Sequence, residues 1–166
     1  MNLVDQVCNL NQAKRLKELD IIQNSYFSWC GEEELRLMDS GKDGVKYSNR
    51  VFISTTESFN NMQEDNRCDV PSARPFAAAF TVAELGLMLA NRIRLNKMNY
   101  TFRANLEKNG LWHLKYRTLS KEGKCIPLYQ CQSNNEANAK ANMLIYLLEK
   151  GLLTAKSLNE RLSNCK

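Results

Sequence analysis

Tyr100-Thr101-Phe102-Arg103-Ala104-Asn105-Leu106-Glu107, then Lys108-Asn109-Gly110, then Leu111-Trp112-His113-Leu114-Lys115-Tyr116-Arg117-Thr118-Leu119, is the stretch on which the fold turns. Both flanks alternate apolar and polar residues, the period of strands with one buried face, and the Asn-Gly between them signals a hairpin. Loop length sets the register, because a one-residue slip moves every side chain to the opposite face. A two-residue Asn109-Gly110 loop puts Leu106 opposite His113 and Glu107 opposite Trp112, which mixes the faces. A three-residue loop with Gly110 left-handed, a type I turn closed by a bulge, puts Leu106 opposite Trp112, Ala104 opposite Leu114 and Phe102 opposite Tyr116. That register predicts an apolar core face. Thr101, Arg103, Asn105, His113, Lys115 and Arg117 take the other face.

Downstream, Cys125 to Cys131 reads as a further strand, and Pro127, which cannot donate to a ladder, predicts that it lies at an edge. Ser133-Asn134-Asn135-Glu136 then caps the clearest helix of the chain, with Ala137, Ala141, Leu144 and Leu148 as its core stripe and Gly151 just past its end. Thr154 to Leu162 predicts a short terminal helix. Upstream, Thr81-Val82-Ala83-Glu84 is a capping box that opens a helix to about Ala90, with Val82, Leu85, Met88 and Leu89 inward. A second capping pattern, Asn9-Leu10-Asn11-Gln12, opens a helix from Leu10 to Leu19 with Leu10, Ala13, Leu16 and Leu19 on one side. Between these helices, Ile21 to Cys30 is rich in aromatics and reads as strand or packed loop, and Val45 to Ile53 reads as a strand. Glu32 to Met38 is ambiguous between helix and strand. The polar residues 54–74 form a long loop that reads as slack rather than as a binding loop.

The 166 residues, 43% hydrophobic and 25% charged, fit one globular domain over 1–166 and exclude a fibrous or wholly disordered chain. The expected class is α+β, with helices packed on one face of a small, mainly antiparallel sheet. No apolar run approaches the roughly 20 residues that a bilayer crossing needs. The start, Met1-Asn2-Leu3-Val4-Asp5-Gln6, has no cationic and apolar leader, so a cytoplasmic protein is expected, with Cys8, Cys30, Cys68, Cys125, Cys131 and Cys165 as buried, reduced thiols.

Chemistry is thinly signalled. The chain has no phosphate-binding glycine loop, no HExxH and no GxSxG. Cys125 and Cys131, six positions apart on a strand, lie roughly 20 Å from each other and cannot share a metal. The one histidine, His113, could serve a cysteine nucleophile as its base, but reads as a polar-face residue. Glu32-Glu33-Glu34 reads as a solvated helix start rather than a cation site. No cofactor is expected. Charge is the strongest surface signal: residues 1–75 hold 9 Lys+Arg against 12 Asp+Glu, and residues 76–166 hold 14 against 6. Arg103, Lys115 and Arg117, sharing the polar face of the hairpin, would repel one another unless an anion lay across them. With Lys108, Lys121 and Lys124 they form a candidate surface for nucleic acid or an acidic protein. Phe102, Trp112 and Tyr116 point to the core and are not placed for base stacking.

Three stretches carry a resemblance: Asn11-Gln12-Ala13-Lys14-Arg15-Leu16-Lys17-Glu18-Leu19, Phe80-Thr81-Val82-Ala83-Glu84-Leu85, and Glu136-Ala137-Asn138-Ala139 through Met143-Leu144-Ile145-Tyr146-Leu147-Leu148-Glu149-Lys150-Gly151. They resemble small uncharacterised proteins of bacterial phages, prophages and conjugative elements. The resemblance implies an accessory protein of a mobile element in the bacterial cytoplasm and transfers no catalytic residue. The expected role is non-catalytic binding of a macromolecule through the basic C-terminal half. A self-associating structural protein and a small cysteine-dependent enzyme are the alternatives.

Overall fold

The computed structural model describes residues 3–34, 46–55 and 74–164. After a 3-10 turn at Leu3–Gln6, helix α1 spans Leu10–Glu18. Its capping box closes in both directions: Gln12 N donates to Asn9 Oδ1 at 3.0 Å and Asn9 N to Gln12 Oε1 at 3.2 Å. Strands β1 (Phe27–Glu34), β2 (Lys46–Thr55) and β3 (Arg74–Ala78) form an antiparallel sheet in the order β2-β1-β3. Helix α2 (Val82–Met88) follows, capped by Thr81 and Glu84. Strands β4 (Arg92–Leu95), β5 (Met98–Leu106), β6 (Trp112–Leu119) and β7 (Cys125–Ser133) form a second antiparallel sheet in that order. Helices α3 (Glu136–Glu149) and α4 (Ala155–Ser163) end the chain.

The class is α+β with antiparallel sheets, and the strands divide into two sheets rather than one. β7 lies at an edge. The hairpin takes the three-residue register: Leu106 stands opposite Trp112, Ala104 opposite Leu114 and Phe102 opposite Tyr116. Gly110 has φ 80°, and Gly110 N donates to Glu107 O at 2.9 Å to close the turn. Two strands escape the sequence reading. β3 contains Pro75 and begins at the end of the long polar stretch; β4 is four residues long and pairs with β5 through the tight turn at Asn96 and Lys97, both left-handed at φ 49° and 64°. Glu32–Glu34 belongs to β1 and opens no helix, because Glu33 and Glu34 pair with Tyr47 and Lys46. Most of the 54–74 loop lies outside the described residues, as do Cys68 and Cys165.

α3 packs on the Leu114–Tyr116 side of the second sheet and also against α1 and α2. Being covered from several sides, it buries Ala139, Met143 and Leu147 in addition to Ala137, Ala141 and Leu144, so its apolar surface is wider than one stripe. Leu85, Met88, Leu158 and Phe80 join the same core. Polar staples fix α1 to α3: the buried Gln12 donates from Nε2 to Asn142 Oδ1 at 2.7 Å and to Asn138 O at 2.9 Å. Trp29 of β1 donates from its indole to Cys8 O at 3.1 Å, and Cys8 N to Phe80 O at 2.9 Å, which ties the first sheet to the start of α2.

Candidate functional site

The pairing of the second sheet lays out its open face row by row. Arg92 of β4 stands opposite Thr101 of β5, which stands opposite Arg117 of β6. In the next row Arg103 stands opposite Lys115, and Lys115 opposite Gln130. Asn105, His113 and Gln132 make a third row, and Arg94 stands opposite Asn99 beyond the first. Residues directly opposite on neighbouring strands share a face. Arg92, Arg94, Arg103, Lys115 and Arg117 therefore lie together, on the side away from α3. The alternation in burial agrees: Ile93, Leu114 and Tyr116 are buried, while Arg92, Arg94 and Arg103 are exposed and Lys115 and Arg117, on an inner strand, are half-buried.

Five cations share this face in rows that hold no acid, and among the described residues none of the five is in an ion pair. The nearest acids are engaged by other partners. Glu107 Oε1 lies 2.9 Å from His113 Nδ1 at one end of the hairpin, and Glu122 lies 3.5 Å from Lys124 in the exposed β6–β7 turn. Arg117 Nη1 approaches Cys125 Sγ at 3.8 Å. Arg103 and Lys115 stand opposite each other across the ladder, a repulsion of about 1 kcal/mol or less in water-like surroundings that a bound anion would reverse.

Of the six residues singled out from the sequence, Arg103, Lys115 and Arg117 come together as expected. Lys108 lies in the β5–β6 turn, at the end of the sheet opposite to Lys121 and Lys124, so those three form a rim rather than a part of the patch. Arg92 and Arg94 were missed as site residues because β4 was missed; the alternation Arg92-Ile93-Arg94-Leu95 was the signal.

The cysteines divide. Cys8 is buried, and burial pushes its thiol from 9.0 up to about 12. Cys131 faces the helices, with Sγ 3.4 Å from Ala139 O, and burial pushes its thiol to about 11. Cys125 is exposed, against the expectation of burial, because it opens the edge strand β7 beside the exposed β6–β7 turn. It stands opposite Leu119, six residues along β6 from His113, so none of these three thiols is placed against the imidazole. A groove between α2 and α3 is lined by Thr81, Val82, Gly86, Glu136 and Lys140. Its one cation is already engaged: Lys140 Nζ lies 2.9 Å from Glu136 Oε1 and donates to Val82 O at 3.2 Å. Among the described residues no group of three or more His, Cys, Asp and Glu could hold a metal, and the side chains of Glu32, Glu33 and Glu34 lie outside that description. No helix among the described residues is long and apolar enough to cross a membrane. Comparison with protein-family models, curated proteins and solved structures finds no match.

Proposed function

We propose that the protein is a non-catalytic accessory binding protein of the bacterial cytoplasm and that the open face of its second sheet holds nucleic acid. The observation that carries this reading is the set of five cations in adjoining rows of one face, with no acid in those rows. Such a face is unfavourable by itself and becomes favourable against a polyanion, whose condensed counterions are released on contact. The uncharged residues between the cations, Thr101, Asn105, Gln130 and Gln132, are donors of the kind that bonds phosphate and sugar oxygens. A mobile-element origin, which rests on the three short stretches quoted above, fits a protein whose work is done on nucleic acid.

The test is fluorescence anisotropy of the intact protein with a labelled mixed-sequence nucleic acid and, separately, with labelled polyglutamate. The expected result is nucleic-acid binding that weakens steeply with salt and drops at least about tenfold in the variant Arg103→Ser/Lys115→Ser/Arg117→Ser. Unchanged affinity in that variant overturns the reading. Binding of polyglutamate in preference to nucleic acid assigns the face to an acidic protein instead.

A further inference from the structure

Resting on that reading, we infer that the open sheet face takes double-stranded nucleic acid by its two phosphate rows and reads no bases. Two independent features of the sheet lead there.

The first is where the aromatic residues lie. Proteins that hold single strands on a sheet do so by stacking bases on exposed aromatic rings. Here the Phe, Tyr and Trp rings of β5, β6 and β7 lie on the helix-covered face. Tyr116 is fully buried and its hydroxyl donates to Ala90 O; Phe102 packs on it with ring centroids 5.2 Å apart. Tyr129 stacks flat on Tyr146 of α3, with centroids 3.7 Å apart and planes within 5°. Tyr100 is buried, and Trp112 packs against the core. Among the described residues of the open face there is no Phe, Tyr or Trp, and its one imidazole, His113, is only 18% exposed and held by Glu107, so an unpaired base finds no free ring to lie on.

The second is the plan of the charges. Arg92 and Arg94 form one column on β4 and Lys115 and Arg117 another on β6, with β5 between. Two strand spacings separate the columns by roughly 10 Å, and residues two apart within a column lie about 7 Å from each other. Arg103, on β5 between the columns, stands in the row of Lys115. A flexible single strand presents one line of phosphates and is tracked by one line of cations. Two columns match two phosphate lines held apart by a groove, and duplex grooves are about 6 and 12 Å wide. Arginine and lysine side chains span the difference at either width. The side chains between the columns, Asn99, Thr101 and Asn105, are too short to reach base edges through a groove from a flat sheet and can serve the sugar and phosphate oxygens instead.

The experiment measures dissociation constants of the intact protein for a 20-base-pair mixed-sequence DNA duplex, the matching RNA duplex, a duplex of different sequence, and one isolated strand, from about 50 to 200 mM salt. The expected result is that at least one duplex binds tighter than the isolated strand and that DNA duplexes of different sequence bind within about twofold of each other. With five phosphates engaged, the slope of log K against log salt on duplex DNA is about −4.5. Arg92→Ser and Arg94→Ser each flatten it by about 1, and Arg92→Lys restores it because a backbone contact needs charge rather than shape. Tighter binding of the isolated strand, a tenfold or larger preference among DNA sequences, or an unchanged slope in both serine variants overturns the inference while leaving nucleic-acid binding in place. Failure of every nucleic acid to bind overturns the proposed function and this inference together.

Discussion

Arg103 and Lys115 are the pair of residues that most directly separates stability from binding. They stand opposite each other on β5 and β6, and among the described residues neither is in an ion pair. Like charges directly opposite destabilise a ladder, and opposite charges contribute roughly 0.2–1 kcal/mol. Arg103→Glu converts repulsion into attraction, so thermal unfolding is expected to move up by about 2 °C at low salt, with the gain shrinking as salt is added. The same substitution places an acid in the middle of the cationic patch and should abolish nucleic-acid binding. A lowered unfolding temperature, or binding retained at the level of the unaltered protein, would show that the two side chains do not meet as described. Arg15 offers a contrast at the same scale. It is a surface cation with two carboxylates in reach, Glu18 and Glu149, both at 2.8 Å, and those partners raise the pKa of its guanidinium. A cation so provided for has no need of an external anion.

At the scale of elements, the β5–β6 hairpin is written into its turn. Gly110 at φ 80° occupies the left-handed region, and a Cβ there would meet no atom within 4 Å. Gly110→Ala is therefore expected to cost about 1 kcal/mol from backbone strain alone, without a clash and without changing the register. Chemical denaturation would read the loss, and a loss near zero would mean that the turn can relax to another conformation. α2 is also specified locally, yet its capping residue reaches beyond the helix. Glu84 Oε2 accepts from Thr81 N at 2.8 Å and from Ser25 Oγ at 2.9 Å, and Oε1 accepts from Tyr26 N at 3.2 Å. A box recognisable over four residues thus fastens a segment almost sixty positions away, and nothing in the local sequence announces that second duty. β3 and β4 were illegible for a related reason. β3 shows no alternation and β4 only two cycles of one, and each exists because a neighbouring strand offers a ladder.

For the whole molecule, buried acidic protons link the fold to pH. Burial raises the Cys8 thiol to about 12 and the Cys131 thiol to about 11, and holds the Tyr116 and Tyr129 hydroxyls above their usual range. The unfolded chain begins to lose thiol protons near pH 9, whereas the folded chain keeps them, so the folded state binds more protons there. Stability is full below pH 9 and falls as the pH rises toward the folded-state values. Urea midpoints at pH 7 and about 10.5 should show the fall, and Cys8→Ala should make it smaller. A midpoint that does not move over this interval would mean that Cys8 is open to solvent. The site is likewise a property of the whole. Arg92 and Arg117 lie 25 positions apart in the chain and meet one another only across β5.

Short-range rules decided what could be read directly. Caps act over three or four residues, and strand alternation over two, so α1, α2, α3, the hairpin register and the shared face of Arg103, Lys115 and Arg117 followed from the order of residues alone. The excess of basic residues in the C-terminal half is also a property of sequence. Tertiary structure decided which face of the second sheet is covered by α3, that β4 joins its edge with two further arginines, and that the strands divide into two sheets. It also turned Cys125 outward and left Leu106, on the core side of its strand, 58% exposed. Those outcomes depend on which surfaces meet, and contact between segments many residues apart leaves no period or spacing in the sequence from which to read it.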